Sequence, residues 1–339
     1  MTRLLAALLS FQLVSLLSAA ESAAPTDMRA VVMHGYGGAE ALTLDRVPIP
    51  EPAEGQVRIR VYAAGVNPID WKLRSSLGQH FNSRGLPRIL GFDVAGTVDG
   101  VGAGVTRWKV GDAVIAALQR APQGGYAEYT VVSADDVASK PKSMSFEEAA
   151  GLPTAVTTVW PFLLGAGDLK PGQRLLIQGA AGGVGSVAVQ VAKSRGVHVI
   201  GTASANNADY LRSIGADEVI DYRSERFEDR VKGADIVFDT VGGETLDRSY
   251  AVLRAGGTLI TIVGRPSEEK CRAAAIRCPA LSRDGMTFGE MLAQAVALVD
   301  QGRLKVNVER VFPLEEAFAA QELNRAGHTR GKIILRVRS

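Results

Sequence analysis

The segment Gly179-Ala-Ala-Gly182-Gly183-Val-Gly185 constrains this chain more than any other. The apolar run Arg174-Leu-Leu-Ile-Gln178 precedes it, and a stretch with helical spacing follows from Gly183 to Arg195. A glycine turn between a buried strand and a helix start is suited to holding an anion. Gly182 lets a phosphate approach the backbone, and Gly185 lets the helix pack closely on the strand. The first helical turn then offers unpaired N–H groups at the positive end of the helix dipole. Ala180 stands where the usual G-x-G-x-x-G fingerprint has its first glycine. The strand–turn–helix context sets Ala180, Gly182, Gly183 and Val184 against a dinucleotide diphosphate; a purely structural turn is the alternative.

Around this turn the chain has two rhythms. From about Pro153 to Gln301, apolar runs such as His198–Thr202, Glu218–Asp221, Asp235–Asp239 and Thr258–Val263 alternate with helical stretches. That alternation predicts parallel crossovers and a doubly wound sheet, so the fold class is α/β. Asn206 or Asn207 is a candidate cap for the helix running to Ile214. From Met28 to about Leu152, period-two stretches such as Val57–Tyr62 and Asp93–Asp99 are broken by glycine and proline, which predicts half-buried strands. Short strands return after Gly302, and the last, Lys332–Val337, is expected to rejoin the first region. No internal repeat is present.

Composition excludes several classes. With 339 residues, two domains are the natural expectation. Lys+Arg 38 against Asp+Glu 36 gives +2, and aromatic residues are 6%, so neither field nor stacking surface points to nucleic acid. Cys271 and Cys278 cannot build a disulfide scaffold; two free thiols are the default, with pairing open if the protein is exported. His34, His80, His198 and His328 are scattered without ligand spacing. Residues 1–20 join one arginine, an apolar run and small residues in the form of a secretory signal with cleavage after Ala20. The protein is then periplasmic or secreted. The alternatives are an uncleaved anchor, or a true start at Met28 and a cytoplasmic location. No other window is expected to cross a bilayer, so the mature chain should carry no membrane span.

The dinucleotide can be narrowed. NAD sites place an acid about 20 residues after the turn, to hold the ribose hydroxyls. No acid occurs from Ser186 to Ala208, and Ser204 stands about where it would be. A neutral site admits the extra phosphate of NADPH, which Tyr222 and Arg223 could reach. Val241-Gly242 and Val263-Gly264 end expected parallel strands, where ligands gather, so Val241, Gly242 and Val263 are candidates for the nicotinamide pocket.

Ordered along the chain are Ala63-Ala-Gly-Val-Asn67-Pro-Ile-Asp70-Trp-Lys72, Leu90-Gly-Phe92-Asp93-Val-Ala-Gly-Thr-Val98, Gly111-Asp112, and Gly125-Tyr126-Ala-Glu-Tyr129. They continue with Lys170-Pro-Gly172, the glycine turn, Gly215-Ala-Asp217, Asp239-Thr-Val-Gly242-Gly243, and Gly327-His-Thr-Arg-Gly331-Lys332-Ile-Ile-Leu335. In this order they resemble the medium-chain dehydrogenase/reductase superfamily, in its zinc-independent quinone oxidoreductase branch. The resemblance implies a GroES-like β-rich catalytic domain (28–152 and 302–339) with an inserted Rossmann domain (153–301) and the active cleft between them. Zinc alcohol dehydrogenases of the superfamily have Cys where this chain has Asn67 and His where it has Phe92, so no metal site is expected.

What remains is hydride delivery from NADPH to a quinone or α,β-unsaturated carbonyl, with a donor aimed at the oxygen that gains charge. By resemblance, Asn67 and Lys72 face nicotinamide and substrate, and Thr158 contacts the cofactor. As plain structure, Lys72 would be a solvated helix residue, Thr158 a hydroxyl bonded to its own helix, Asp70 a helix cap, and Tyr126 and Tyr129 packing residues. An NADPH-binding structural or regulatory protein and an enoyl-thioester reductase are the competing readings. Ala273–Cys278 is expected to be an edge strand; by analogy with the family, such an edge joins two subunits, so a homodimer is implied.

Overall fold

A computed structural model describes residues 26–80, 85–279 and 285–338; the signal expected at residues 1–20 lies outside them. The N-terminal strands are β1 (Asp27–Met33), β2 (Leu42–Pro48), β3 (Gln56–Val66), β4 (Arg88–Ile89), β5 (Asp93–Val101), β6 (Ala113–Ala117), β7 (Tyr129–Ser133) and β8 (Val137–Ser139). The middle strands are β9 (Arg174–Gln178), β10 (His198–Ala203), β11 (Glu218–Asp221), β12 (Ala234–Asp239) and β13 (Leu253–Thr261), and β14 (Val308–Pro313) and β15 (Lys332–Arg336) close the chain.

The first domain holds a three-stranded sheet, β2-β1-β4, and a seven-stranded sheet in which β14-β15-β3-β5-β6-β8 run in order and β7 pairs with β3. The chain's last strand rejoins its beginning as expected: β15 lies antiparallel on β3, with Ile334 opposite Gly65. Between them, β9–β13 form a parallel sheet in the order β11-β10-β9-β12-β13. β9 is central and buried because its Leu175, Leu176 and Ile177 meet side chains on both faces. The chain winds outward from β9 through β10 to β11, then crosses back to β12. The β9/β12 boundary is therefore the switch point, beyond whose carboxyl ends ligands bind.

Two helices frame that point, α1 (Pro68–Arg74) and α3 (Pro153–Val159), with α2 (Phe146–Ala149) just before α3 in the chain. After α3, the Trp160–Ala166 segment widens to a π-helix. Pro161 there has no N–H to donate, so the regular ladder is interrupted. Together, Phe146–Ala166 is long and apolar enough to cross a membrane, contrary to expectation; 67% of the window is buried. Its Ala155, Val156, Val159 and Leu163 pack into one core with Leu175, Ile177 and Ile334, which explains its apolar character. The fourth helix, α4 (Gly183–Ser194), turns Val187, Ala188, Val191 and Ala192 inward. Gly185 is the packing glycine: a Cβ there would lie 2.3 Å from the Gly179 carbonyl oxygen.

Asp70 caps α1 as expected, as the third-position partner of a capping box. Asn67 holds the N-cap position, and Asp70, one turn on, accepts from the Asn67 N–H at 2.7 Å. Asp70 also accepts from the Gly91 N–H and from the Tyr126 hydroxyl. Tyr126 is fully buried, as expected of a packing residue.

Two further expectations are corrected. Ala273–Cys278 is not a strand: Glu268–Ala273 is a short helix, and only Arg277 bridges Thr258 at the β13 edge. Ala275 adopts a positive φ in the turn between. Cys271 and Cys278 are not free thiols but a disulfide, with Cα atoms 6.3 Å apart. The turn brings the two residues within bridging distance, which a continuous strand would not do.

Closing that loop restrains the unfolded chain, so Cys271→Ser/Cys278→Ser should lower stability by about 2–3 kcal/mol in denaturant titrations. Burial pushes the Asp70 carboxyl up to about 7, over the opposing pull of the Asn67 N–H and the Tyr126 hydroxyl; Asp93 raises it further and Lys332 lowers it. The folded state therefore holds a proton that the unfolded state releases near pH 4. Its stabilisation is present at low pH and lost as pH rises through about 7. Asp70→Asn should flatten the decline in unfolding free energy between about pH 4.5 and about pH 8; an unchanged slope would locate the proton elsewhere.

Candidate active site

A cleft of about 810 Å³ opens at the switch point. One wall is the glycine turn with the carboxyl ends of β9, β10, β12 and β13; the other is α1, α3 and the tail from Asn324 to Lys332. The tail is tied to the turn: the Gly331 N–H donates to the Ala181 carbonyl at 2.9 Å, and Gly331 forms a parallel bridge with Gly182. Above the turn, the first N–H groups of α4 have no intrahelical partners. A Cβ at Gly182 would meet only the Gly179 carbonyl, at 3.4 Å. The turn is thus open toward the cleft and offers donors to an anion, which fits a diphosphate.

Most residues singled out in the sequence meet here. Asn67, Lys72, Thr158, Gly182, Gly183, Val184, Ser204, Tyr222, Val241 and Val263 all line the cleft. Two candidates do not. Ala180 is fully buried and faces inward, where a Cβ on Gly201 would stand 2.9 Å from its own; its neighbour Ala181 lines the cleft instead. Gly242 sits behind Val241, with its N–H on the Asp239 carboxylate and no space for a side chain against Val263. Arg223 is absent from the lining; its guanidinium lies 5.9 Å from the Tyr222 ring centroid.

The structural roles weighed for two residues also hold. Thr158 Oγ1 donates to the Thr154 carbonyl at 2.7 Å while the residue lines the cleft. Lys72 is exposed on α1, 5.6 Å from the Trp71 ring centroid, and makes no ion pair among the described residues.

Sequence reasoning missed several groups. Asn207 occupies the N-cap of the helix Ala208–Ser213, yet its side chain makes no cap bond. It donates to Ser204 Oγ at 3.2 Å and accepts from Arg330 Nε at 2.8 Å. Arg330 Nη2 also reaches the Asn206 carbonyl, so a cation from the tail stands beside the neutral Ser204 end of the cleft. His328 lines the cleft mouth.

The largest omission is Lys332, a lysine 5% exposed. Its ammonium lies 2.5 Å from Asn67 Oδ1 and 3.1 Å from an oxygen of fully buried Asp93. Asp93 also accepts from Asn67 Nδ2 at 2.9 Å, from the Thr154 N–H at 2.7 Å and from the Thr154 hydroxyl. A lysine opening the otherwise apolar run Ile333-Ile-Leu335 was the available signal.

A side chamber of about 230 Å³ adjoins the cleft and shares Ile69, Thr154, Thr158 and Phe162 with it. Phe92, Phe288, Gln119 and Thr157 complete its lining, so no charged side chain is present.

The chain matches two family models: an alcohol dehydrogenase GroES-like domain over residues 53–142 and a zinc-binding dehydrogenase domain over 214–335. It is 34% identical to the NADPH-dependent alkenal/one oxidoreductase of Arabidopsis thaliana chloroplasts, covering 93% of this chain and 81% of the relative. It is also 34% identical to a quinone oxidoreductase of Sus scrofa, covering 91% and 97%. The solved quinone oxidoreductase of Coxiella burnetii superposes with a TM-score of 0.82 at 34% identity, over 92% of this chain and all of that one. A mycobacterial protein solved in complex with NADPH superposes at 0.81 with 32% identity, over 91% of this chain and all of that one.

The second family description invites a test for zinc, and the residues here do not fit it. Asn67 and Phe92 replace sulfur and imidazole donors, and Asp93 is occupied by Lys332, Asn67 and Thr154. Among the described residues, no three His, Cys, Asp or Glu side chains come together to hold a metal. Fold, cleft and relatives agree: this chain belongs to the medium-chain dehydrogenase/reductase superfamily, with the quinone and alkenal oxidoreductases as its relatives.

Proposed function

We propose that the protein is an NADPH-dependent, zinc-independent oxidoreductase that reduces a quinone or an α,β-unsaturated carbonyl. One observation carries this reading: the glycine-turn cleft runs directly into an uncharged, phenylalanine-lined chamber, with Thr158 and Phe162 common to both. The α4 N-terminus with Gly182, Gly183 and Val184 would hold the diphosphate. Ser204, Asn207 and Tyr222, with Arg330 beside them, would take the adenosine phosphate. Thr158, Val241, Ile262 and Val263 would bound the nicotinamide.

Bound NADPH supplies a hydride. The chain's own residues align the acceptor and stabilise the charge that develops on its oxygen. Phe92, Phe162 and Phe288 exclude water from the chamber and suit a planar apolar ring or enone. Asn67 Nδ2 and Lys72 Nζ are donors at the cleft wall, and such donors stabilise an oxyanion in the transition state. The acceptor's proton comes from Lys72 Nζ or from water. A chamber of about 230 Å³ favours a compact acceptor over a long acyl thioester. Single-turnover oxidation of bound NADPH by an enone or benzoquinone tests this reading; a protein that binds NADPH and never oxidises it would be the structural or regulatory alternative.

Three finer points belong to the same reading. Export is supported by the paired cysteines, which an oxidising compartment favours. A mature chain without a membrane span is supported by the burial of Phe146–Ala166. A homodimer through the β13 edge is proposed by analogy with the family; part of that edge is already taken up by backbone bonds between Gly256, Gly257 and Leu259 and the segment's Ala275 and Arg277.

Ser204→Asp should weaken NADPH binding about tenfold or more while sparing NADH, since a carboxylate repels only the extra phosphate. Fluorescence titration with both nucleotides reads this directly. Cell fractionation should recover the native chain outside the cytoplasm, starting near Glu21; a cytoplasmic chain starting at Met28 would overturn the export reading.

A further inference from the structure

Asn67 lies between two groups of opposite hydrogen-bonding character. Lys332 Nζ can only donate, and it faces Oδ1 at 2.5 Å. The Asp93 carboxylate can only accept, and it faces Nδ2 at 2.9 Å. Turning the amide over would set a carbonyl oxygen against a carboxylate and an NH₂ against an ammonium. The orientation of this amide is therefore decided by its neighbours and not by convention.

Nδ2 carries two hydrogens, and Asp93 takes one. The other has no protein acceptor among the described residues, and it belongs to a side chain that is 4% exposed and lines the cleft. Neither ionic neighbour is free to drift. Lys332 follows Gly331, whose N–H is bonded to Ala181, and its stem passes over Gly183, where a Cβ would stand 2.7 Å from Cδ. Asp93 is held by the N-terminus of α3 through Thr154.

We propose that Lys332 and Asp93 are positioning residues that lock the Asn67 amide with its second N–H toward the bound ligands. Asn67 is then a fixed donor and never an acceptor in the cleft. The lock holds nicotinamide and acceptor in reacting alignment, so its loss is felt in kcat more than in cofactor affinity. The inference rests on the reductase reading above.

The test uses the full chain and compares Lys332→Met, Lys332→Arg and the double variant Lys332→Met/Asp93→Asn. The double variant leaves no unpaired buried charge, so it remains informative if Lys332→Met alone fails to fold. NADPH affinity is read by fluorescence titration, integrity by thermal melting, and kcat and KM with an enone acceptor. In Lys332→Met and in the double variant, kcat should fall about tenfold or more, while the NADPH Kd stays within about threefold. Lys332→Arg, which keeps a donor-only cation, should recover most of the rate. Wild-type kcat in the double variant would overturn the proposal. So would a Kd that rises as much as kcat falls, because Lys332 would then hold the cofactor itself. A wild-type chain that does not bind NADPH would instead overturn the reductase reading.

Discussion

Asp93 is a fully buried carboxylate in a protein interior, and such a group persists only if its oxygens are satisfied. It is satisfied by donors from three separate places: Asn67 at the start of α1, Lys332 at the start of β15, and Thr154 at the start of α3. The first two lie where α1 leaves β3 and β15 begins, and the third opens α3, which shares a core with Leu175 and Ile177 of β9. A single charge thus joins both ends of the chain to the nucleotide-type sheet. Removing one partner of a buried pair of this kind costs about 3–5 kcal/mol, so the geometry is tightly held.

The cleft follows from this junction. The strand order β11-β10-β9-β12-β13 opens a crevice at the β9/β12 boundary, and the tail closes one side of it through Gly331 and Lys332. The glycines of the turn then serve two neighbours. Gly185 admits close packing of α4 on the preceding turn, and Gly183 admits the lysine stem. The phenylalanine chamber lies across the cleft, where Phe92 stands one residue before Asp93. The residue that lines the chamber and the residue that anchors the junction are therefore set by the same piece of backbone.

Much of this was legible in the chain because it is local. The strand–turn–helix around Gly182, the switch to α/β rhythm after Pro153 and the absence of an acid near Ser204 are all short-range patterns. They singled out Gly182, Gly183, Val184, Ser204, Tyr222, Val241 and Val263, which line the cleft; Asn67, Lys72 and Thr158, which line it too, came from the family resemblance. Ala180 and Gly242 do not line the cleft, because a glycine motif tells which residues form a turn, not which side of the turn faces out. The edge strand at Ala273–Cys278 failed because Ala275 takes a left-handed conformation that breaks the run, and that turn pairs the cysteines.

The sequence by itself determined the α/β rhythm after Pro153, the glycine turn and the neutral character of the Ser204 end of the cleft, since each depends on residues within about 30 positions of one another. Only the tertiary structure decided which polar groups would share the cleft wall. Lys332 and Asn67 are 265 positions apart, and Arg330 and Asn207 are 123 apart. No local periodicity reports such pairs: hydrogen bonds between buried groups depend on how the strands and helices close on one another, and that closure is settled by the packed core as a whole.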